Sequence, residues 1–119
     1  MRRCGESFAV YSGEDAAAAE MMLLGGQGVI SVTANVAPRK MADICEAALA
    51  KDAQRTKDLD SDLVGLHKYL FIESNPIPVK WALQRMGLIG EGIRLPLTPL
   101  AEQYHDTVFN AMKQAGIVL

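Results

Sequence analysis

Two short apolar runs, separated by one helix-forming segment, set the strongest limit on the fold of this chain. The run Phe8–Tyr11 ends just before Ser12 and Gly13, and the run Gly28–Thr33 is rich in β-branched residues. Uninterrupted apolar runs of this length are typical of parallel strands, which are buried on both faces. Ala16–Leu24 between them consists of strong helix formers. The pattern therefore predicts one strand–helix–strand unit with parallel strands.

The predicted pair of strands is incomplete by itself. Both edges and both faces of a two-stranded parallel sheet need partners, because unpaired edges and exposed apolar faces are unstable in water. We therefore expect another copy of the chain or a larger fold to supply them. At the start of the intervening helix we expect Ser12 to act as the N-cap, and Glu14 and Asp15 to interact with the positive end of the helix dipole.

The rest of the chain is predicted to be helical. Pro38 begins a helix with an apolar side that includes Cys45. The residues Leu59, Leu63, Leu66 and Leu70 recur at helical spacing, which predicts one long helix over 52–73. Asn75–Pro78 interrupts it, since each proline disfavours a helical residue before it. A short helix over 79–86 and a last helix beginning at Pro99, capped by Thr98, complete the prediction.

Length and composition exclude several classes of protein. The chain has 119 residues, whereas a complete α/β barrel has about 250. Half of its residues are hydrophobic and its formal charge is −2, without a basic stripe, so we expect a globular domain and no nucleic-acid partner. No apolar run approaches about 18 residues and no signal peptide is recognisable, so we expect a cytoplasmic protein without a membrane span. Cys4 and Cys45 form neither a disulfide framework nor a metal site.

Four segments carry a resemblance to a known family, in the same order and at the same spacing. They are Val10–Asp15, Gly25–Val36, Asn75–Ala82 and Arg94–Leu100. Together they resemble the dihydrodipicolinate synthase family, and the resemblance covers essentially the whole chain. The Asn-Pro-Ile-Pro-Val-Lys-Trp segment is the most specific of the four. It favours this family over related pyruvate-dependent aldolases such as N-acetylneuraminate lyase, which is the alternative branch.

The resemblance implies the C-terminal part of a (β/α)8 TIM barrel. Residues 1–50 would be its last two βα units, with Phe8–Tyr11 as the seventh strand and Val29–Val32 as the eighth. Residues 51–119 would be the C-terminal helical extension of the family.

The resemblance also implies a lyase of lysine biosynthesis. Such enzymes join pyruvate to a lysine as a Schiff base and condense it with aspartate semialdehyde to 4-hydroxy-tetrahydrodipicolinate, a reaction for which a lysine nucleophile is suited. The family needs no metal or other cofactor, and its members form homo-oligomers, typically tetramers. Two positions match substrate-binding residues: Ile30, whose backbone carbonyl faces pyruvate, and Gly13, which lines the pocket.

No catalytic residue is assigned in this chain. The family's Schiff-base lysine would lie upstream of Met1, and none of the chain's tyrosines is in the catalytic motif. We expect Lys40, Lys51, Lys57, Lys68 and Lys113 to be solvated on polar helix positions, and Lys80 to lie in the extension, far from the strand ends. His67 and His105 are expected to be surface or packing residues and not metal ligands.

Two interpretations of the function therefore stay open. In the first, the chain provides a pocket wall and helical scaffold to a synthase and is inactive alone. In the second, it is a non-catalytic helical remnant that associates with itself or docks on a full-length synthase.

Overall fold

The computed structural model describes residues 3–117 and contains a short parallel sheet against which a group of helices is packed. The strands are β1 (Tyr11–Ser12) and β2 (Gly28–Val29). The α-helices are α1 (Asp15–Leu23), α2 (Pro38–Leu49), α3 (Ala53–Ser61), α4 (Val64–Tyr69), α5 (Ile77–Arg85) and α6 (His105–Gln114), and two 3-10 turns cover Thr33–Asn35 and Glu102–Tyr104. Within residues 3–117, every helix is too short or too polar to cross a membrane.

The strand–helix–strand unit is confirmed. β1 and β2 pair in parallel, with Tyr11 opposite Gly28 and Ser12 opposite Val29, and α1 connects them. Both strands are shorter than predicted. Val32, expected in the second strand, already has helical backbone angles of φ −77° and ψ −43°. With only one partner each, the strands form a ladder only where they face one another, and the chain turns away directly after β2.

The sheet is left uncovered on much of its surface. The side chains of Phe8, Tyr11 and Ile30 are 58%, 57% and 75% exposed. In a complete domain, large apolar residues on a parallel sheet are covered by neighbouring strands and helices. The exposure therefore agrees with a sheet that lacks partners.

The hydrophobic core lies among the helices instead. Leu63, Leu66 and Leu70 are fully buried, as their spacing predicted. The prediction of one continuous helix over 52–73 is wrong, however, because α3 ends at Ser61 and α4 begins at Val64. The Ser61 hydroxyl donates to the Asp58 carbonyl, a type of bond that bends helices.

A glycine allows the second of these helices to approach α6 closely. A Cβ atom at Gly65 would lie 2.8 Å from the side-chain oxygen of Gln114 and 3.2 Å from the Cβ atom of Ala111. Only a residue without a side chain fits this contact without displacing a neighbour. Gly65 thus explains why α4, although short, packs closely against α6.

Two other predicted boundaries change. The short helix is confirmed as α5, but the last helix begins at His105 and not at Pro99. Ala101 has an extended backbone, and its N–H donates to the Glu73 carboxylate over 3.3 Å. This contact holds the segment against the connection between α4 and α5, which delays the start of the helix.

Lys51 does not lie on a helix, contrary to expectation. It follows α2 with a φ of +62°, a conformation unusual for a residue other than glycine. Its ammonium group donates to the carbonyls of Met22 and Leu23, at 2.9 and 3.0 Å. These carbonyls lie at the C-terminal end of α1, where a cation interacts favourably with the negative end of the helix dipole.

Candidate functional site

Gly13 and Ile30 lie side by side at the C-terminal ends of the two strands. Ser12 and Val29 are the last residues of the two strands and lie opposite one another. Gly13 and Ile30 are the residues that follow them directly. The N–H of Ile30 donates to the carbonyl of Ser12 over 2.8 Å, which joins the two strand ends directly. In parallel α/β folds, substrates bind at this edge of the sheet.

The turn that follows Ile30 is held by a buried carboxylate. Asp15 is only 2% exposed, and its two oxygens accept the hydroxyl of Ser31 and the N–H groups of Val32 and Thr33, the latter two at 3.0 Å each. Three bonds to one carboxylate fix the backbone immediately beyond Ile30. Asp15 was expected only to interact with the dipole of α1, so the sequence pattern did not reveal this role.

Ser12 does not cap α1, and this prediction is wrong. The N-cap is Glu14, which has no side-chain cap bond. The Ser12 hydroxyl accepts the N–H of Glu14 at 3.1 Å and donates to its carbonyl at 2.8 Å. Ser12 therefore closes a tight turn before the helix, because the extra residue Gly13 moves the start of α1 beyond its reach.

Gly13 is exposed and faces open space. Its φ lies outside the left-handed region, and an added Cβ atom would meet no atom within 4 Å. The local fold therefore does not require glycine here. Gly13 lines an open cavity of about 590 Å³ that Glu14, Asp60, Val64, His67, Lys68 and Phe71 also border.

His67 connects this cavity to the turn beyond Ile30. It is 5% exposed, with Nδ1 2.9 Å from the Thr33 hydroxyl oxygen and Nε2 3.1 Å from a carboxylate oxygen of Asp60. His67 is therefore a buried, hydrogen-bonded residue. The expectation of a surface or packing residue did not include this bridging role.

The lysines occupy varied positions. Lys57, Lys68 and Lys113 are exposed, as expected. Lys40 is half-buried and forms an ion pair with Asp62 at 2.7 Å. Of these, Lys68 lines the same cavity as Gly13, with its ammonium group 5.2 Å from the centre of the Tyr69 ring.

A second cavity, of about 480 Å³, lies elsewhere, against α5. Lys80, Trp81 and His105 contribute to its wall. The rings of Trp81 and His105 are stacked with centroids 4.8 Å apart, and Nε2 of His105 lies 3.0 Å from the Leu100 carbonyl oxygen. These contacts support a packing role for His105. Among residues 3–117, no three His, Cys, Asp or Glu side chains form a group that could hold a metal ion.

The fold and the strand ends together define a class of protein. Parallel strands joined by a helix, with polar residues gathered at their C-terminal ends and sheet surfaces left open, are features of part of an α/β barrel. A family model described as the dihydrodipicolinate synthetase family matches residues 1–115. The chain belongs to this family.

Named relatives agree with this assignment. The chain is 62% identical over 117 residues to the 4-hydroxy-tetrahydrodipicolinate synthase of Azoarcus sp. (strain BH72), covering 98% of this chain and 40% of the relative. It is 59% identical to the synthase of Pseudomonas aeruginosa, covering 99% of this chain and 40% of that protein. The chain therefore spans about two-fifths of the length of the curated relatives it matches.

Solved structures show the same relationship. The chloride-inhibited dihydrodipicolinate synthase of Acinetobacter baumannii, complexed with pyruvate, superposes with a TM-score of 0.91 at 61% identity, covering 93% of this chain and 38% of that one. The synthase of Aquifex aeolicus gives a TM-score of 0.94 at 42% identity, covering 99% of this chain and 40% of that one. The prediction of a partial barrel with a helical extension is confirmed.

Proposed function

We propose that this chain supplies the last two βα units and the helical extension of a 4-hydroxy-tetrahydrodipicolinate synthase. In this proposal residues 1–50 belong to the barrel and residues 51–119 to the extension. The complete enzyme condenses pyruvate with aspartate semialdehyde in the cytoplasm, through a Schiff base on a lysine. That lysine lies in the three-fifths of the relatives that this chain does not match.

The observation that carries the proposal is the joined pair of strand ends. The backbone of Ile30 is tied to β1 through Ser12, and the turn beyond it is tied to Asp15. A carbonyl held in this way offers a fixed acceptor to a bound substrate and loses little freedom on binding. We assign to the Ile30 carbonyl the contact with pyruvate at the Schiff-base site.

Gly13 has a complementary role in this proposal. A side chain at this position would meet nothing within the described part of the chain, so the space in front of it is free for a ligand. We assign Gly13 to the wall of the substrate pocket, where the missing Cβ lets the substrate lie against the backbone.

The proposal is tested by assembling the enzyme from two chains. The N-terminal part of the Azoarcus relative, up to the start of its match with this chain, is co-expressed with the present chain, and the complex is assayed with pyruvate and aspartate semialdehyde. We expect synthase activity from the complex and none from either chain alone. A stable complex without activity would contradict the proposal.

A pair of variants makes this assay specific for the pocket. Gly13→Leu places a large side chain in open space, so we expect assembly to persist and activity to be lost. Ala17→Leu places the same side chain on the exposed surface of α1 and serves as the control. Equal activity in the two variants would contradict the assignment of Gly13.

The second candidate function is a non-catalytic one. The exposed apolar residues Phe8, Tyr11 and Ile30 favour association with another chain. In the first proposal the complete enzyme forms a homo-tetramer, as the family does. A solved relative with 38% identity is a monomeric variant. Self-association of this chain, together with no activity in the two-chain complex, would favour the second candidate.

A further inference from the structure

We infer that His67 is a positioning residue for the backbone at Ile30, through which the helical extension sets the direction of the substrate-facing carbonyl. The inference rests on the proposed function for the role of Ile30. Its structural part concerns only contacts within this chain.

Three elements of the fold meet at His67. The residue lies on α4, Asp60 lies on α3, and Thr33 begins the turn that follows β2. Thr33 is fully buried and His67 is 5% exposed, while the contact with Asp60 is partly open to solvent. Hydrogen bonds in such sheltered surroundings are directional constraints, because water cannot easily replace a lost partner.

When the ring of His67 is neutral, the chemistry of its partners sets the direction of both bonds. An ionised carboxylate only accepts, so Nε2 of His67 carries the hydrogen that Asp60 receives. In the neutral ring Nδ1 is then an acceptor, and the hydroxyl of Thr33 donates to it. Every buried side-chain nitrogen and oxygen in residues 3–117 has a hydrogen-bond partner.

Thr33 transmits this constraint to the turn. Its N–H donates to Asp15 over 3.0 Å, and its carbonyl accepts the N–H groups of Val36 and Ala37 at 3.0 and 2.9 Å. The Thr33 side chain is thus fixed by the extension, while its backbone is fixed by α1 and by the turn itself. Loss of His67 would leave a buried hydroxyl unpaired, and regaining a partner requires the turn to move.

This movement reaches the carbonyl of Ile30 through Ser31 and Val32, the two residues between Ile30 and Thr33. The N–H of Ile30 is bound to Ser12, so the peptide that precedes it stays in place. The carbonyl of Ile30 belongs to the next peptide, and the direction of that peptide depends on Ser31. The Ser31 hydroxyl is bound to the Asp15 carboxylate, which also accepts the N–H of Thr33. A shift of the turn therefore rotates the carbonyl without breaking the β1–β2 pair.

Two substitutions separate the two bonds of His67. His67→Asn keeps an amide oxygen near the place of Nδ1 and so keeps an acceptor for Thr33, but it loses Asp60. His67→Gln keeps a donor near the place of Nε2 for Asp60, but it loses the acceptor for Thr33. Thr33→Val removes the same bond from the other side and preserves side-chain volume.

The first measurement uses NMR of the full chain. We expect His67→Gln and Thr33→Val to speed amide hydrogen exchange at Val32 and Thr33 about tenfold. Both should shift the carbonyl-carbon resonance of Ile30, and His67→Asn should stay close to the parent chain in both readouts. Unchanged exchange and an unchanged Ile30 resonance in His67→Gln and Thr33→Val would overturn the inference. Equal damage by His67→Asn and His67→Gln would overturn it too, since that is the result of a merely structural role.

The second measurement uses the two-chain enzyme. We expect His67→Gln and Thr33→Val to raise the KM for pyruvate about tenfold with a smaller change in kcat, because an acceptor for the substrate is misdirected. His105→Gln, which alters a histidine in the other cavity, is the control. An unchanged KM in an active enzyme would overturn the inference. Inactivity of the unaltered two-chain enzyme would contradict the proposed function instead, and the NMR result would still decide the structural part.

Discussion

The carboxylate of Asp15, at the start of α1, accepts the backbone N–H of Thr33 over 3.0 Å across the end of the sheet. The two residues are 18 positions apart in the chain. Asp15 therefore links the helix after β1 to the turn after β2, and it holds together the two strand ends that carry Gly13 and Ile30. The geometry of the candidate site depends on this link.

Replacing Asp15 should destabilise the chain. Asp15→Ala leaves the hydroxyl of Ser31 and the N–H groups of Val32 and Thr33 without their acceptor. We expect the free energy of unfolding to fall by about 2 to 3 kcal/mol, the usual cost of orphaned buried donors. Urea unfolding followed by circular dichroism measures it.

Glu20→Ala is the matched control for this substitution. Glu20 is an exposed carboxylate on the same helix, and we expect its removal to change the free energy of unfolding by less than about 0.5 kcal/mol. Equal effects of Asp15→Ala and Glu20→Ala would show that the turn does not depend on the buried carboxylate.

Lys51 should contribute to stability through its ammonium group. In Lys51→Met a long, flexible side chain remains, but it can no longer donate to Met22 and Leu23 at the end of α1. We expect a loss of about 1 kcal/mol, because the bonds are charge-assisted but the residue is exposed. Thermal unfolding measures it, with Lys57→Met on the surface of α3 as the control. A Lys51→Met chain as stable as Lys57→Met would contradict this account.

The two cysteines should react at different rates. Cys45 lies on α2 against the small cluster of Ala18, Met22 and Ala48, and burial raises the pKa of its thiol. Since only the thiolate reacts, we expect alkylation by iodoacetamide to be slower at Cys45 than at the exposed Cys4. A raised pKa delays ionisation, so the alkylation rate at Cys45 should reach its plateau at a higher pH than that of an ordinary thiol.

Peptide mass spectrometry after timed alkylation follows both cysteines in one sample, so Cys4 serves as the internal reference. Equal rates at the two residues, or a rate at Cys45 that reaches its plateau at the pH of an ordinary thiol, would show that the thiol is not protected by the helix packing.

The parts of the fold that depend on local sequence patterns could be predicted from the sequence. The parallel pair was predictable because two apolar runs flank a helix-forming segment, and the burial of Leu63, Leu66 and Leu70 was predictable from their spacing. The resemblance of four segments placed the chain in a barrel family, which no periodicity could have done.

Contacts between distant segments were not predictable. His67 and Thr33 are 34 positions apart, and nothing near either residue indicates the other. The delayed start of α6 and the position of Lys51 likewise depend on tertiary contacts that override helix propensity. These contacts, not the local patterns, organise the surroundings of Gly13 and Ile30.

We propose that this chain forms part of a pyruvate-binding barrel whose reactive lysine lies in the other part. The most direct test is borohydride reduction of the two-chain complex in the presence of pyruvate, followed by intact mass measurement of each chain. We expect the mass of reduced, bound pyruvate on the N-terminal part of the Azoarcus relative and none on the present chain. Bound pyruvate on the present chain, for example on Lys68 beside the cavity of Gly13, would contradict the claim.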